Sequence, residues 1–160
     1  EEIMAEDHIN VIERAIIDKL RADHSGVRVY GQFPEGNDAE YPCIVVEITS
    51  TGEFERFMGQ KVDFGGTNKT GEMVGIVFTM HIMVDKNSSK TVDSTVYKQR
   101  RLLNYLLLNV ANSITDMTFS SVTTEITERN LNNWVDIGYD PELELYGASC
   151  VYTVVFKNYR

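Results

Sequence analysis

Residues 91–114, TVDSTVYKQRRLLNYLLLNVANSI, constrain the fold more than any other stretch of this chain. Val92, Val96, Leu103, Leu106, Leu107, Val110 and Ile114 recur at helical spacing and fall on one stripe. Such a stripe is stable in water only beneath a sheet or another helix. Thr91 is placed to cap the first turn, with Asp93 near the positive end of the helix dipole. The opposite side is not cleanly polar, because Tyr97, Tyr105 and Leu108 gather there around Arg101. One greasy side predicts a core contact, and the smaller aromatic side predicts a surface for a partner.

The covering layer is legible as strands. Residues 73–85 alternate, with Val74, Ile76, Phe78, Met80, Ile82 and Val84 on one face and Thr79 and His81 on the other. Residues 145–157 alternate in the same way through Tyr146, Ala148, Cys150, Tyr152, Val154 and Phe156. Residues 43–49 (CIVVEIT) are apolar at nearly every position, the pattern of a central strand. Shorter strand candidates are 27–30 and 122–127. Ile9, Ile12, Ile16 and Leu20 stripe a second helix over 5–22, which His24-Ser25-Gly26 ends. Residues 86–90 (KNSSK) turn the chain into the central helix, and 128–142 read as an irregular polar and aromatic loop. The expected order is α-β-β-(arm)-β-α-β-β over one domain, 1–160. The fold class is α+β: a mostly antiparallel sheet, two helices packed on one face, and an extended hairpin arm at 53–71.

Composition narrows the function. With 42% hydrophobic and 10% aromatic residues, the 160-residue chain has the make-up of an ordinary globule. Its net charge of -9 leaves no basic face for a phosphate backbone. No apolar run is long enough to span a bilayer, and the acidic start EEIMAEDH is unlike a secretory signal. Cys43 and Cys150 lie in apolar, strand-like runs, where free buried thiols fit better than a bridge between adjacent strands. A reducing cytosol is then the default.

Signatures of chemistry are scarce. There is no phosphate loop, dinucleotide fingerprint, HExxH, Gly-x-Ser-x-Gly or Cys-x-x-Cys. His8, His24 and His81 share no ligand spacing, and His81 fits a packed strand residue better than a general base. Asp136, Asp140, Glu142 and Glu144 could hold a hard cation, but their spacing is not that of an EF-hand, and a solvated acidic loop is the plainer account. Trp134 and Tyr139 in that loop are either partner anchors or a lid over the core. No cofactor is expected.

The arm is the clearest anomaly. Phe54, Phe57, Met58 and Phe64 stand among Glu53, Glu55, Arg56, Lys61 and Asp63, ahead of the turn-forming GGTNKTG at 65–71. So apolar a segment either folds onto its own sheet or packs on a neighbouring subunit.

Three passages bring these features together: AEYPCIVVEITSTGEF at 39–54, MVGIVFTMHIMVDKNSS at 73–89 and LYGASCVYTVVF at 145–156. In them, and in element order, the chain resembles the tail terminator proteins of long-tailed phages, the lambda minor tail protein U type that includes tail-to-head joining proteins. The resemblance implies a hexameric ring that stops tail-tube polymerisation and presents a surface to the head. It implies three partners: other copies of the chain, the tail tube protein, and a head-completion or connector protein. The expected place is the neck region of the virion, assembled in the host cytoplasm, with no catalysis. The arm at 53–71 and the segment between the central helix and last strand are longer than in the lambda-like pattern. Candidate interface residues are Phe54, Phe57, Met58, Phe64 and Lys69 on the arm, Tyr97, Arg101, Tyr105 and Leu108 on the central helix, and Trp134 and Tyr139. The alternatives are another neck or tail-completion subunit of the same architecture, a small-molecule-binding module, and a small hydrolase using His81 with the 136–144 carboxylates.

Overall fold

The computed structural model describes the backbone of residues 7–34, 39–64, 67–120 and 125–159, with side chains for all of these except 52–72, 132–137 and 158–159. The elements run α1 (His8–Asp23), β1 (Arg28–Tyr30), β2 (Cys43–Phe64), β3 (Thr67–Asp85), β4 (Ser89–Val92), β5 (Thr95–Lys98), α2 (Gln99–Thr115), β6 (Ile126–Asp140) and β7 (Leu145–Tyr159). Five strands form one sheet in the order β1-β2-β3-β7-β6, and β4 pairs with β5 in a separate hairpin. Only the β1–β2 pair is parallel. The fold is α+β, with a mostly antiparallel sheet.

Strand register sorts the apolar residues. Ile44 and Val46 of β2, Ile76, Phe78, Met80 and Ile82 of β3, and Cys150, Tyr152 and Val154 of β7 share a face and are buried. Both helices pack on it. Ile12, Ile16 and Leu20 from α1 and Leu102, Leu103, Leu106, Val110 and Ile114 from α2 complete one core cluster. The face expected beneath the central helix, carrying Phe78, Met80, Ile82, Tyr152 and Val154, is the one it covers. Cys43 and Val45 point to the other face and are buried as well. On that face the Phe33 ring lies 5.0 Å from that of His81.

Register also separates the inner strands from the outer ones. β3 and β7 pair without a shift from Gly71↔Tyr159 to Asp85↔Leu145. Against β3, β2 skips a residue after Ile48 and again after Glu53, and skips a longer run between Arg56 and Lys61. Against β7, β6 skips after Ile126, Leu131 and Asp136. At each shift the surplus is therefore on the strand farther from the centre, Gly71 being the one β3 residue skipped against β2.

Three sequence expectations need correction. Residues 91–98 are not helical: Thr91 and Val92 end β4, Val96 and Tyr97 belong to β5, and α2 begins at Gln99. Asp93 and Ser94 both take positive φ, 48° and 67°, the two-residue turn that suits a twisted hairpin. Thr91 and Asp93 therefore cap nothing, and α2 starts from Lys98 with no side-chain cap. Second, the stretch expected to be irregular, 128–142, is mostly strand β6. Residues 122–124 of the expected 122–127 strand lie outside the described residues. Third, the turn expected over 65–71 is far shorter, since Phe64 pairs with Thr67 and Thr67–Gly71 belong to β3.

The first helix follows its pattern. Asp7 is its N-cap, its carboxylate accepting from the Asn10 backbone N–H at 3.2 Å. At the other end the His24 N–H donates to the Leu20 carbonyl, and Gly26 takes φ 81° to let the chain leave.

Candidate functional site

The arm is the distal half of the β2–β3 hairpin. The last β3–β7 pair is Gly71↔Tyr159, yet β2 and β3 go on pairing through Lys61↔Thr70 to Phe64↔Thr67. Past Gly71↔Tyr159 the described residues form a two-stranded β2–β3 ribbon. Phe54 falls at the second skip of β2, and Phe57 and Met58 fall in the longer third one, so none has a register partner on β3. Phe64 closes the ribbon opposite Thr67, and Lys69 pairs with Val62. The side chains of Phe54, Phe57, Met58, Phe64 and Lys69 lie outside the described residues.

On α2, Arg101, Tyr105 and Leu108 sit four and three residues apart, the spacing that brings side chains together on one helix side. Leu108 is 55% exposed. Tyr97 reaches this side from β5, its ring stacked on Tyr105 at 4.7 Å. The structure therefore brings these four together, though half of the aromatic pair is spent in joining hairpin to helix. Beside Tyr105 opens a polar hollow of about 290 Å³ lined by Lys19, Asp23, His24, Lys90, Asn109 and Ser113, among others. His24 is buried there with its Nε2 3.0 Å from the Ser113 hydroxyl. Burial, helped by the Lys90 charge, holds its pKa below the ordinary value.

Trp134 and Tyr139 are on strand β6, not in a loop. Trp134 pairs in register with Cys150, and its side chain lies outside the described residues. Tyr139 leans on Tyr146 across the β6–β7 pair, ring centres 4.7 Å apart, and stays half exposed. The carboxylates after it are engaged separately. Asp140 accepts from the backbone N–H groups of Glu142 and Leu143, and Glu144 pairs with Lys86 at 2.6 Å. Asp136's side chain lies outside the described residues. Among the described residues no three acidic, histidine or cysteine side chains converge as a metal site would require.

One constellation escaped the sequence reading. On the sheet face away from the helices, His81 Nε2 lies 2.8 Å from a Glu47 carboxylate oxygen and its Nδ1 lies 3.1 Å from the Ser149 hydroxyl. With the carboxylate taking the Nε2 proton, Nδ1 becomes the acceptor for the hydroxyl. The order carboxylate, imidazole, hydroxyl is that of serine hydrolases. Its setting is different. Ser149 is buried in the middle of β7, between β3 and β6, where main-chain N–H groups serve the ladders and cannot turn to a developing oxyanion. Glu47, the one charge within CIVVEIT, was the available signal.

The two thiols are on opposite sheet faces, Cys43 paired with Met83 and Cys150 with Met80. Both are buried and free, and burial pushes each pKa up to about 12. Among the described residues no helix is long and apolar enough to cross a membrane. Neither a protein-family model nor a curated protein matches the chain.

Proposed function

We propose that this protein is a structural subunit of a phage tail, a ring-forming tail terminator that caps the tail tube and offers a surface for joining the head. The observation that carries the proposal is the long β2–β3 hairpin, with Phe54, Phe57 and Met58 at positions outside the β3 register. A segment so rich in phenylalanine, at positions with no register partner on β3, fits a contact with a neighbour. The partners would be further copies of the chain in a hexameric ring, the tail tube protein and a head-completion or connector protein. The location would be the virion neck.

We read the protein as non-catalytic. The Glu47–His81–Ser149 row is the one feature that favours a hydrolase, and its hydroxyl is buried between two strand ladders. With the Phe33 ring against His81, it fits a polar clasp on that sheet face.

The register supplies the test. Arg56 and Glu72 are direct partners, so residues 57–71 can be removed and the strands rejoined through an Asn-Gly turn. The shortened protein should remain folded and monomeric, without rings by electron microscopy and without capping isolated tail tubes. Rings or caps formed as readily as by the full chain would overturn the assignment of the arm. A full chain that neither assembles nor caps tubes would overturn the function.

A further inference from the structure

The two most exposed of the large apolar side chains described are Leu143, 67% exposed, and Leu108, 55% exposed. They stand in opposite electrostatic settings. Leu143 is at the tip of the β6–β7 turn between Glu142 and Glu144, with Asp140 opening the turn and half-exposed Tyr139 beside it. Leu108 shares one side of α2 with Arg101 and Tyr105, Tyr97 is stacked on Tyr105, and Lys98 and Arg100 lie at the start of the same helix. Glu144 is held by Lys86 and the Asp140 side chain by its own turn. The Glu142 carboxylate and the Arg101 guanidinium make no ion pair among the described residues.

We propose that the β6–β7 turn of one copy docks on the α2–hairpin surface of a second copy, Leu143 seated against Leu108 and Tyr105 and Glu142 paired with Arg101. Charge argues for a second copy as the occupant. At a net charge of -9 copies of this chain repel one another, and they approach only where a cationic surface meets an acidic one. One chain carries both halves: an acidic knob with an apolar tip, and an aromatic socket with an arginine. Because knob and socket are different surfaces, the contact is head-to-tail and propagates until the rotation closes it. The contact deepens, and rests on, the ring assembly proposed above. It joins to the arm a second contact made by side chains alone.

The experiment uses two full-length variants, Leu143→Asp (knob spoiled, socket intact) and Leu108→Asp (socket spoiled, knob intact). Both sites are exposed, and circular dichroism with thermal melts checks that each variant folds. In sedimentation velocity each alone should associate at least tenfold more weakly than the unmodified chain. A 1:1 mixture should form a two-chain species, since the intact socket of one variant meets the intact knob of the other. The reversal Arg101→Glu with Glu142→Arg in one chain should restore assembly that either change alone removes. Variants that assemble as well as the unmodified chain, or a mixture that stays monomeric while the unmodified chain assembles, overturn the contact and leave the ring standing. An unmodified chain that stays monomeric at every concentration, and on tube ends, overturns both.

Discussion

Three consecutive leucines on α2 provide a direct test of how the helix sits on the sheet. Leu106 is fully buried, Leu107 half-buried and Leu108 55% exposed, although the sequence stripe places Leu107 beside Leu106. Leucine and alanine are both strong helix formers, so Leu→Ala at the three sites changes burial far more than helix propensity. At Leu106 the change removes three carbons' worth of apolar transfer, about 2.4 kcal/mol, and leaves a cavity among Phe78, Met80 and the other core side chains. The total should be about 2–5 kcal/mol. Unfolding entropy scales at about 2.1 cal/mol/K per residue, roughly 0.34 kcal/mol/K for 160 residues. The Tm should therefore fall by about 6–15 °C. Leu107→Ala should cost about 1–2 kcal/mol, in proportion to its lesser burial, and Leu108→Ala should stay within about 0.5 kcal/mol. Urea titrations read the order directly, provided the m-value is unchanged. A Leu107 or Leu108 variant that loses as much as Leu106→Ala would refute this phase of the helix, and with it the exposure of the Arg101–Tyr105–Leu108 side.

Stability should fall on the acid side because of His24. Its folded-state pKa lies below 6.5, so below pH 6.5 the unfolded chain binds the extra proton first. The contribution is complete above pH 6.5 and is lost as the pH falls through the lower folded value. Urea midpoints between pH 8 and 5 should therefore decline more steeply for the natural chain than for His24→Gln, and equal slopes would remove His24 as the cause. Cys43 and Cys150, with pKa values pushed up to about 12, should resist iodoacetamide at pH 8 in the folded protein and react once urea unfolds it. Native labelling at the rate of a free cysteine would contradict their burial.

Most legible in the sequence were an unbroken apolar run, such as Cys43–Val46, and a regular apolar period. The alternation through Val74 to Val84 and through Ala148 to Phe156 gave both inner strands their faces, and α1 declared itself through Ile12, Ile16 and Leu20. Failures came where a different physical rule governs. Val92 and Val96 are four apart, which suits one helix face equally well, and the positive-φ pair at Asp93 and Ser94 was the competing hairpin signal. In β6 the skips after Ile126, Leu131 and Asp136 break the period of two that reveals a strand. The aromatic side of α2 was found from spacing, whereas the Glu47–His81–Ser149 row joins three strands that are distant in sequence. No local pattern reports such a meeting.

The placement of the bulges bears on how copies of this chain can associate. An outer strand with a smooth free edge adds strands from any neighbour and has no natural stopping point. Here the edges are β6, the three-residue β1, and the part of β2 beyond Val45, where β1 ends. Apart from Gly71 of β3, every skipped residue in the sheet is on β2 or β6, while β3 and β7 pair smoothly with each other. Each skip bends its strand and interrupts the row of outward-facing amides and carbonyls, so another strand finds no continuous ladder to join. Open-ended sheet growth is thereby disfavoured on both sides. The proposed association would then fall to surfaces of fixed shape: the β2–β3 ribbon, the acidic turn with Leu143 at its tip, and the α2 side bearing Leu108 and Arg101. Contacts of that kind have one geometry each. A fixed angle between successive copies is what a ring of definite size requires and what an open sheet edge cannot supply.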